Sequence, residues 1–197
     1  SSGSVYGIKE EEQVTEGLSL NPITEYNKTK MVAERVLLSY SDKMAVQIVR
    51  PATVCGVSPR MRLDLSVNML TIQALTNGEI TVFGGAQTRP NIHIDDITDL
   101  YLYLLFKPEL TGVYNARFEN LSIKEIAEAV CRHIPARIRV TPSNDPRSYR
   151  MNSEKLLSDG FKPKKNVGDA IKEIAALYES GELTSEPHYY NLKWMEE

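Results

Sequence analysis

Tyr26 and Lys30 stand four residues apart in Asn21-Pro-Ile-Thr-Glu-Tyr-Asn-Lys-Thr-Lys30. On a helix the two lie on one face, one turn from each other. An ammonium held beside a phenol favours the phenolate, because the positive charge stabilises the ionised form. An unperturbed phenol, with a pKa near ~10, is a poor base at neutral pH, so this pairing can make a tyrosine useful for taking or giving a proton there. Two further Tyr-x-x-x-Lys matches, Tyr103–Lys107 and Tyr189–Lys193, read as structural. What sets the first pair apart is its surroundings. Ser1-Ser-Gly-Ser-Val-Tyr-Gly7 precedes it, and Arg50-Pro-Ala-Thr-Val-Cys-Gly56 follows it.

The elements around these residues are legible from local pattern. Thr24 is a candidate N-cap for a helix over 24–41 whose apolar positions include Met31, Val32, Ala33, Val36 and Leu37. Residues 44–55 form a nearly continuous apolar run, the signature of a strand buried on both faces of a parallel sheet, with Pro51 ending its regular pairing. Downstream, the pattern predicts a loop over 58–65, a helix over 65–76 stopped at Asn77-Gly78, and strands over 79–83 and 91–94. An apolar helix capped by Asp95-Asp96 comes next, then a strand over 112–116 returning to the main sheet. Ser122-Ile-Lys-Glu125 is a capping-box pattern opening a further helix, followed by a strand over 137–141. A short helix after Asn152 or Ser153 and an amphipathic helix over 167–181 complete the regular pattern. Residues 1–7 read as a strand end and its loop, and 8–20 as an acidic surface loop. The tail carrying Tyr189, Tyr190 and Trp194 either packs on the body or lines a subunit contact. Strands alternating with helices make this an α/β chain.

Composition narrows the function classes. The 197 residues carry a formal net charge of -3 with dispersed Lys and Arg, which gives no basic field for nucleic acid. There is no apolar run of transmembrane length and no signal-sequence pattern, so no membrane role and a cytoplasmic location are expected. Cys55 and Cys131 are the only cysteines; they suit a reducing compartment, offer no metal-ligand spacing, and Cys55 reads as a small buried hydrophobe. No metal is expected.

The three-part arrangement of Ser1–Gly7, Tyr26–Lys30 and Arg50–Gly56 resembles the extended short-chain dehydrogenase/reductase family, specifically its NAD-dependent sugar-nucleotide epimerases and dehydratases. The resemblance runs from Ser1 to about Pro163. It implies a partial Rossmann-like parallel sheet with a smaller α/β substrate-binding lobe. Residues 1–56 and 92–118 would form the remainder of the dinucleotide-binding domain, and 57–91 with 119–197 the nucleotide-sugar lobe. A Gly-x-x-Gly-x-x-Gly turn that would place pyrophosphate at a helix N-terminus is absent; Gly84-Gly85 is the only close glycine pair. The chain is therefore expected to be the C-terminal part of a longer enzyme. The position that would choose between NAD and NADP lies in the part not seen, so NAD is expected with NADP open.

By that resemblance Tyr26 is the acid/base at a sugar hydroxyl, Lys30 holds the nicotinamide ribose and lowers the Tyr pKa, and Ser2 hydrogen-bonds the same oxygen. Pro51 and Val54 fall on cofactor-binding positions, and Ser4 and Thr53 on sugar-binding ones. Phe83 flanks the nucleoside base, while Arg89 and Arg147 meet the diphosphate bidentately. Thr53 replaces an Asn found in many relatives, and Cys55 a Tyr or Phe. In the 4,6-dehydratases of the family, an Asp and a Glu stand where Gly3 and Ser4 stand here. The expected reaction is therefore epimerisation through a transient keto-sugar, with a dehydratase, a keto-sugar reductase or a non-catalytic binding remnant as alternatives. Arg60 and Arg62 are weaker candidates for the diphosphate and read first as surface residues, and His93 and Asp96 read as structural. A homodimer through a contact that includes the Tyr–Lys helix is the expected assembly.

Overall fold

A computed structural model of the chain describes residues 1–143 and 148–196. Arg147 lies outside the described residues. In chain order the elements are a 3-10 turn at Gly3–Tyr6, α1 (Glu25–Leu38), β1 (Gln47–Pro51), β2 (Thr53–Cys55), α2 (Ser66–Asn77), β3 (Glu79–Phe83) and β4 (Thr88–His93). There follow α3 (Ile94–Leu105), β5 (Gly112–Ala116), β6 (Glu119–Ser122), α4 (Ile123–Cys131), β7 (Arg137–Thr141), α5 (Glu154–Ser158), α6 (Val167–Glu179), a 3-10 turn at Pro187–Tyr189 and α7 (Asn191–Glu196). No described helix is long and apolar enough to cross a membrane.

The strands form three small sheets. β1 pairs in parallel with β5, Val49 opposite Tyr114, and β3 pairs in parallel with β7. β4 lies between β2, parallel to it, and β6, antiparallel. The apolar run over 44–55 is therefore not one strand. Pro51 has no N–H to donate, Ala52 N bonds Ala116 O at 2.8 Å, and the chain then changes partner from β5 to β4. That change of partner forms the floor on which the candidate site lies.

Helix termini follow local chemistry. The Thr24 side chain accepts from Asn27 N, and Ser122 and Glu125 make the expected capping box. Gly78, at φ 63°, closes α2 in the left-handed conformation. Three expectations are corrected. Residues 3–6 form a 3-10 turn rather than a strand end, with Ser2 Oγ accepting from Ser4 N. α1 ends at Leu38, and residues 39–43 form turns. The cap of α3 is His93, whose Nδ1 accepts from Asp95 N; Asp95 and Asp96 sit inside the first turn. β4 stays paired through His93, opposite Cys55, so the helix must begin at the next residue.

Four buried clusters among the described residues hold these pieces, the smallest being Val5, Tyr6 and Val14. Val67, Leu70, Ile80, Val82, Ile126 and Ile171 fill the space between the β3–β7 sheet and α2, α4 and α6. Val49, Ile92, Leu100, Tyr114, Met151 and Phe161 fill the second, against β1 and β5. Met61, Leu63, Ile72, Ile174 and Leu183 form the third, covered by Tyr189 and Tyr190, so this part of the tail packs on the body. Each such aliphatic side chain contributes about 1.5–3 kcal/mol when fully buried.

Candidate active site

The Ser-rich 3-10 turn, the start of α1 and the β1–β2 crossover meet around one cavity of about 430 Å³. Ser2, Ser4, Tyr26, Pro51, Thr53 and Val54 all line it. These six sequence-predicted residues are thus brought together from positions up to about fifty apart in the chain. Lys30 lies one turn along α1, its ammonium 5.5 Å from the centre of the Tyr26 ring, and lines a neighbouring cavity of about 410 Å³ formed by α1, β1 and α3. Tyr26 is 56% exposed, so its hydroxyl is open to a ligand.

The serines form a directed chain. Ser4 Oγ donates to Asn27 Oδ1 at 2.6 Å, and Ser2 Oγ lies 2.8 Å from Ser4 Oγ. A hydroxyl has one proton, and that of Ser4 is committed to Asn27, so Ser2 is the donor in the Ser2–Ser4 bond. Ser2 Oγ also accepts from Ser4 N at 3.3 Å. A lone pair of Ser2 is left to accept a bond from a ligand hydroxyl. Asn27 is buried beside Tyr26 on α1 and ties that helix to the Ser2–Ser4 turn; nothing in the sequence reading pointed to it.

Beneath the site lies a buried network that fixes α1 against β1. Arg50 Nε and Nη2 meet Glu34 Oε1 and Oε2 at 2.9 and 2.6 Å, with both side chains nearly inaccessible. Arg50 Nη1 donates to Tyr6 Oη at 2.7 Å, and Tyr6 Oη donates to Asn115 Oδ1 at 2.8 Å. Burial opposes ionisation of Glu34, but the bonds from Arg50 and Ser1, with the Arg50 charge, outweigh it and hold the carboxyl below its ordinary range. Burial likewise raises the Tyr6 hydroxyl, so it serves as a neutral link.

The cavity floor is rigid. Gly56 has φ 108°, and a Cβ there would lie 2.9 Å from His93 Nε2. Asn68 grips this turn, its Oδ1 accepting from Gly56 N and its Nδ2 donating to Gly56 O and Arg62 O. His93 is buried, with Nε2 3.0 Å from Glu173 Oε2. Asp96 is also buried and accepts from Lys164 N and Lys165 N. Both side chains are hydrogen-bonded within the fold. Cys55 is buried, and burial followed by nearby carboxylates pushes its thiol up to about 12.

Two other predicted residues lie elsewhere. Phe83 ends β3 with its ring 56% exposed, and Arg89 lies on β4 opposite Leu121; neither lines the Tyr26 cavity. Conversely, Arg60 and Arg62, which read as surface residues, do line it. Among the described residues no Asp or Glu side chain does. The Tyr103–Lys107 pair straddles the end of α3, and there Lys107 Nζ donates to Tyr103 Oη, which donates to Asp159 O.

Known proteins share the sequence pattern and fold of this chain. The chain is 29% identical over 199 residues to a UDP-glucose 4-epimerase of Lactobacillus helveticus, matching 87% of this chain and 60% of that protein. Among solved structures, a UDP-glucuronic acid 4-epimerase from Bacillus cereus in complex with UDP-glucuronic acid and NAD matches 91% of this chain and 60% of its own, at 27% identity and TM-score 0.77. A dTDP-glucose 4,6-dehydratase from Bacillus anthracis in complex with NAD shares the fold at TM-score 0.79 and 22% identity, over 98% of this chain and 63% of its own. The chain thus spans about three fifths of the length of these proteins. The profile of the NAD dependent epimerase/dehydratase family matches residues 1–116, more than half of the 197. The chain belongs to the NAD dependent epimerase/dehydratase family.

Proposed function

We propose that the protein carrying this chain is an NAD-dependent epimerase of a nucleotide-diphosphate sugar, with Tyr26 as its acid/base. The observation that carries this is the lining of the Tyr26 cavity: hydroxyls and arginines, and no carboxylate side chain among the described residues. Tyr26 takes the proton of one sugar hydroxyl as that carbon becomes a ketone and returns it when the alcohol reforms. Since that hydroxyl's own proton goes to Tyr26, Ser2 turns its proton from Ser4 to the same oxygen when the sugar binds, and so orients it. Lys30, its ammonium 5.5 Å from the centre of the Tyr26 ring, holds a positive charge beside it.

The donor set also fits a dinucleotide. The Tyr26 hydroxyl and Lys30 ammonium suit ribose hydroxyls, and Pro51 and Val54 offer an apolar wall beside them. Bound NAD, with NADP not excluded, supplies the hydride acceptor and donor. Thr53 and Ser4 would contact the sugar. We propose Phe83, Arg89 and Arg147 for the nucleotide end of the ligand. A homodimer would cover the exposed apolar face of α1 and α3, where Val32, Val36, Tyr101 and Leu105 are all about half exposed or more.

The test is incubation of the full-length gene product with NAD and a set of nucleotide sugars, with products resolved by chromatography and mass. An epimer of unchanged mass is expected. Tyr26→Phe should lower kcat by roughly 10²–10⁴ with little change in KM. A product lighter by one water, or wild-type turnover in the variant, overturns the proposal.

A further inference from the structure

The wall of the Tyr26 cavity turns at Gly56, and a buried histidine ring fills the place where a side chain would stand there. A Cβ on Gly56 would lie 2.9 Å from His93 Nε2 and 3.2 Å from Cε1. The ring is fixed at both nitrogens. Nδ1 accepts from Asp95 N at 3.1 Å, so the proton of the neutral ring is on Nε2, which donates to Glu173 Oε2 at 3.0 Å. Glu173 is on α6, and its other oxygen, Oε1, accepts from Lys165 Nζ at 2.5 Å. The same ammonium reaches Asp95 Oδ2 at 2.6 Å, which closes a loop of four residues behind the turn.

α6 is itself placed by bonds at its start. Asp96 accepts from Lys164 N and Lys165 N at 2.9 and 3.1 Å, and Glu119 Oε2 accepts from Val167 N. Ala170 and Ile171 of α6 share a buried cluster with Val67 and Leu70 of α2, the helix that supplies Asn68. The Gly56 turn is therefore held by one side chain from each of two packed helices. Asn68 bonds its backbone directly, and Glu173 acts through the His93 ring. Without an acceptor at position 173 the buried Nε2–H is unsatisfied, and the ring must leave the turn to reach another acceptor or water.

We propose that Glu173 is a positioning residue for the Tyr26 cavity, acting through His93 on the Gly56 turn, and that Lys165 holds Glu173 in place for this. Neither Glu173 nor His93 lines the cavity, so the effect falls on the shape that receives a ligand and not on proton transfer at Tyr26. The shape of the cavity is thereby tied to a helix far along the chain from the residues that do the chemistry. The consequence for turnover rests on assigning this cavity to the sugar nucleotide; the rigidity of the turn does not.

The experiment is amide hydrogen exchange of the full-length gene product, read by peptide mass, for wild type, Glu173→Ala, Glu173→Gln and Lys165→Met. Circular dichroism confirms folding; should Glu173→Ala not fold, the same comparison is read from Lys165→Met. Peptides covering 53–58 report the turn, and those covering β3 and β7 report general loosening. Glu173→Ala is expected to speed exchange over 53–58 about tenfold or more, with β3 and β7 within about twofold of wild type. Glu173→Gln keeps an oxygen for the Nε2–H and should stay within about threefold of wild type, with Lys165→Met between the two. Equal acceleration in all peptides marks a merely structural residue and overturns the proposal. So does Glu173→Ala exchanging like wild type, or Glu173→Gln exchanging like Glu173→Ala. Lys165→Met exchanging like wild type overturns the part given to Lys165. In turnover of UDP-glucose with NAD, Glu173→Ala should raise KM by roughly three- to tenfold and keep kcat within about twofold. A fall in kcat with KM unchanged, or a wild type inert toward UDP-glucose, refutes that consequence for catalysis, while exchange over 53–58 decides separately whether Glu173 positions the turn.

Discussion

Removing Glu34 should cost the protein both stability and rate, for one geometric reason. Tyr26, Lys30 and Glu34 are spaced by four along α1, so they form one stripe on the helix. Glu34 is the end of that stripe fastened to β1, through a two-bond pair with Arg50 that is almost fully buried. Glu34→Ala leaves Arg50 Nε and Nη2 without acceptors, while Nη1 keeps Tyr6 Oη and Glu16 O. Two charge-assisted bonds, each about 1.5–3 kcal/mol, agree with the roughly 3–5 kcal/mol typical of breaking a buried pair from one side. Glu34→Gln keeps the volume and one acceptor oxygen, and should lose about half of that. Urea denaturation of the full-length protein, followed by circular dichroism, measures both.

The pH dependence has a definite sign. Glu34 is held below its ordinary value of 4.5, so its contribution is fully present above that pH and is lost as pH falls through the folded value. The stability gap between wild type and Glu34→Gln should be constant from about pH 6 to 8 and should shrink in acid. Because the pair sets how the α1 stripe meets the β1–β2 crossover, kcat in Glu34→Gln should fall at temperatures where the variant is fully folded. A Glu34→Ala cost below about 1 kcal/mol, or a gap that widens in acid, would refute the reasoning.

Two further outcomes follow from the cavity floor. Gly56→Ala should destabilise by about 1–3 kcal/mol, since φ 108° disfavours a side chain and the new Cβ would meet His93 Nε2; a neutral effect in the same denaturation would show that the floor yields. Cys55, with its thiol pushed up to about 12 and its side chain buried, should resist iodoacetamide at pH 8 in the folded protein, as read by peptide mass, and label only after unfolding.

The elements were legible where the governing rule is local. Thr24 capping α1, Gly78 closing α2 and the Ser122–Glu125 box each depend on residues within one turn, and all stand where the sequence puts them. So does the meeting of Ser2, Ser4, Tyr26, Pro51, Thr53 and Val54, carried by the family resemblance of their spacing. What was not legible depends on the choice of a distant partner. Nothing near Ala52 says that the chain leaves β5 for β4, because either edge satisfies the same backbone groups. Arg60 reads as a solvated charge because its partners, Asn191 and Trp194, lie some 130 residues later. Asn27 went unnoticed because its hydrogen bond runs 23 residues back to Ser4.

The same hydroxyl chain bears on which reaction the cavity can support. Losing water from a sugar needs an acid to protonate the departing hydroxyl and a base for a carbon-bound proton, the work of the Asp and Glu that resemblance places at positions 3 and 4 of a dehydratase. Position 3 has little room for a side chain: a Cβ on Gly3 would lie 2.5 Å from Met151 Sδ and 3.1 Å from Pro51 O, and Met151 is itself fully buried. Position 4 carries a hydroxyl whose proton is already directed to Asn27. An acid installed at Ser4 would also break that bond and loosen the hold of α1 on the turn. The group proposed to move a proton is Tyr26, and a single proton-transfer group at one alcohol suffices for oxidation and return of that alcohol. On the proposed reading, the crowding at Gly3 and the committed hydroxyl of Ser4 both weigh against dehydration at this turn.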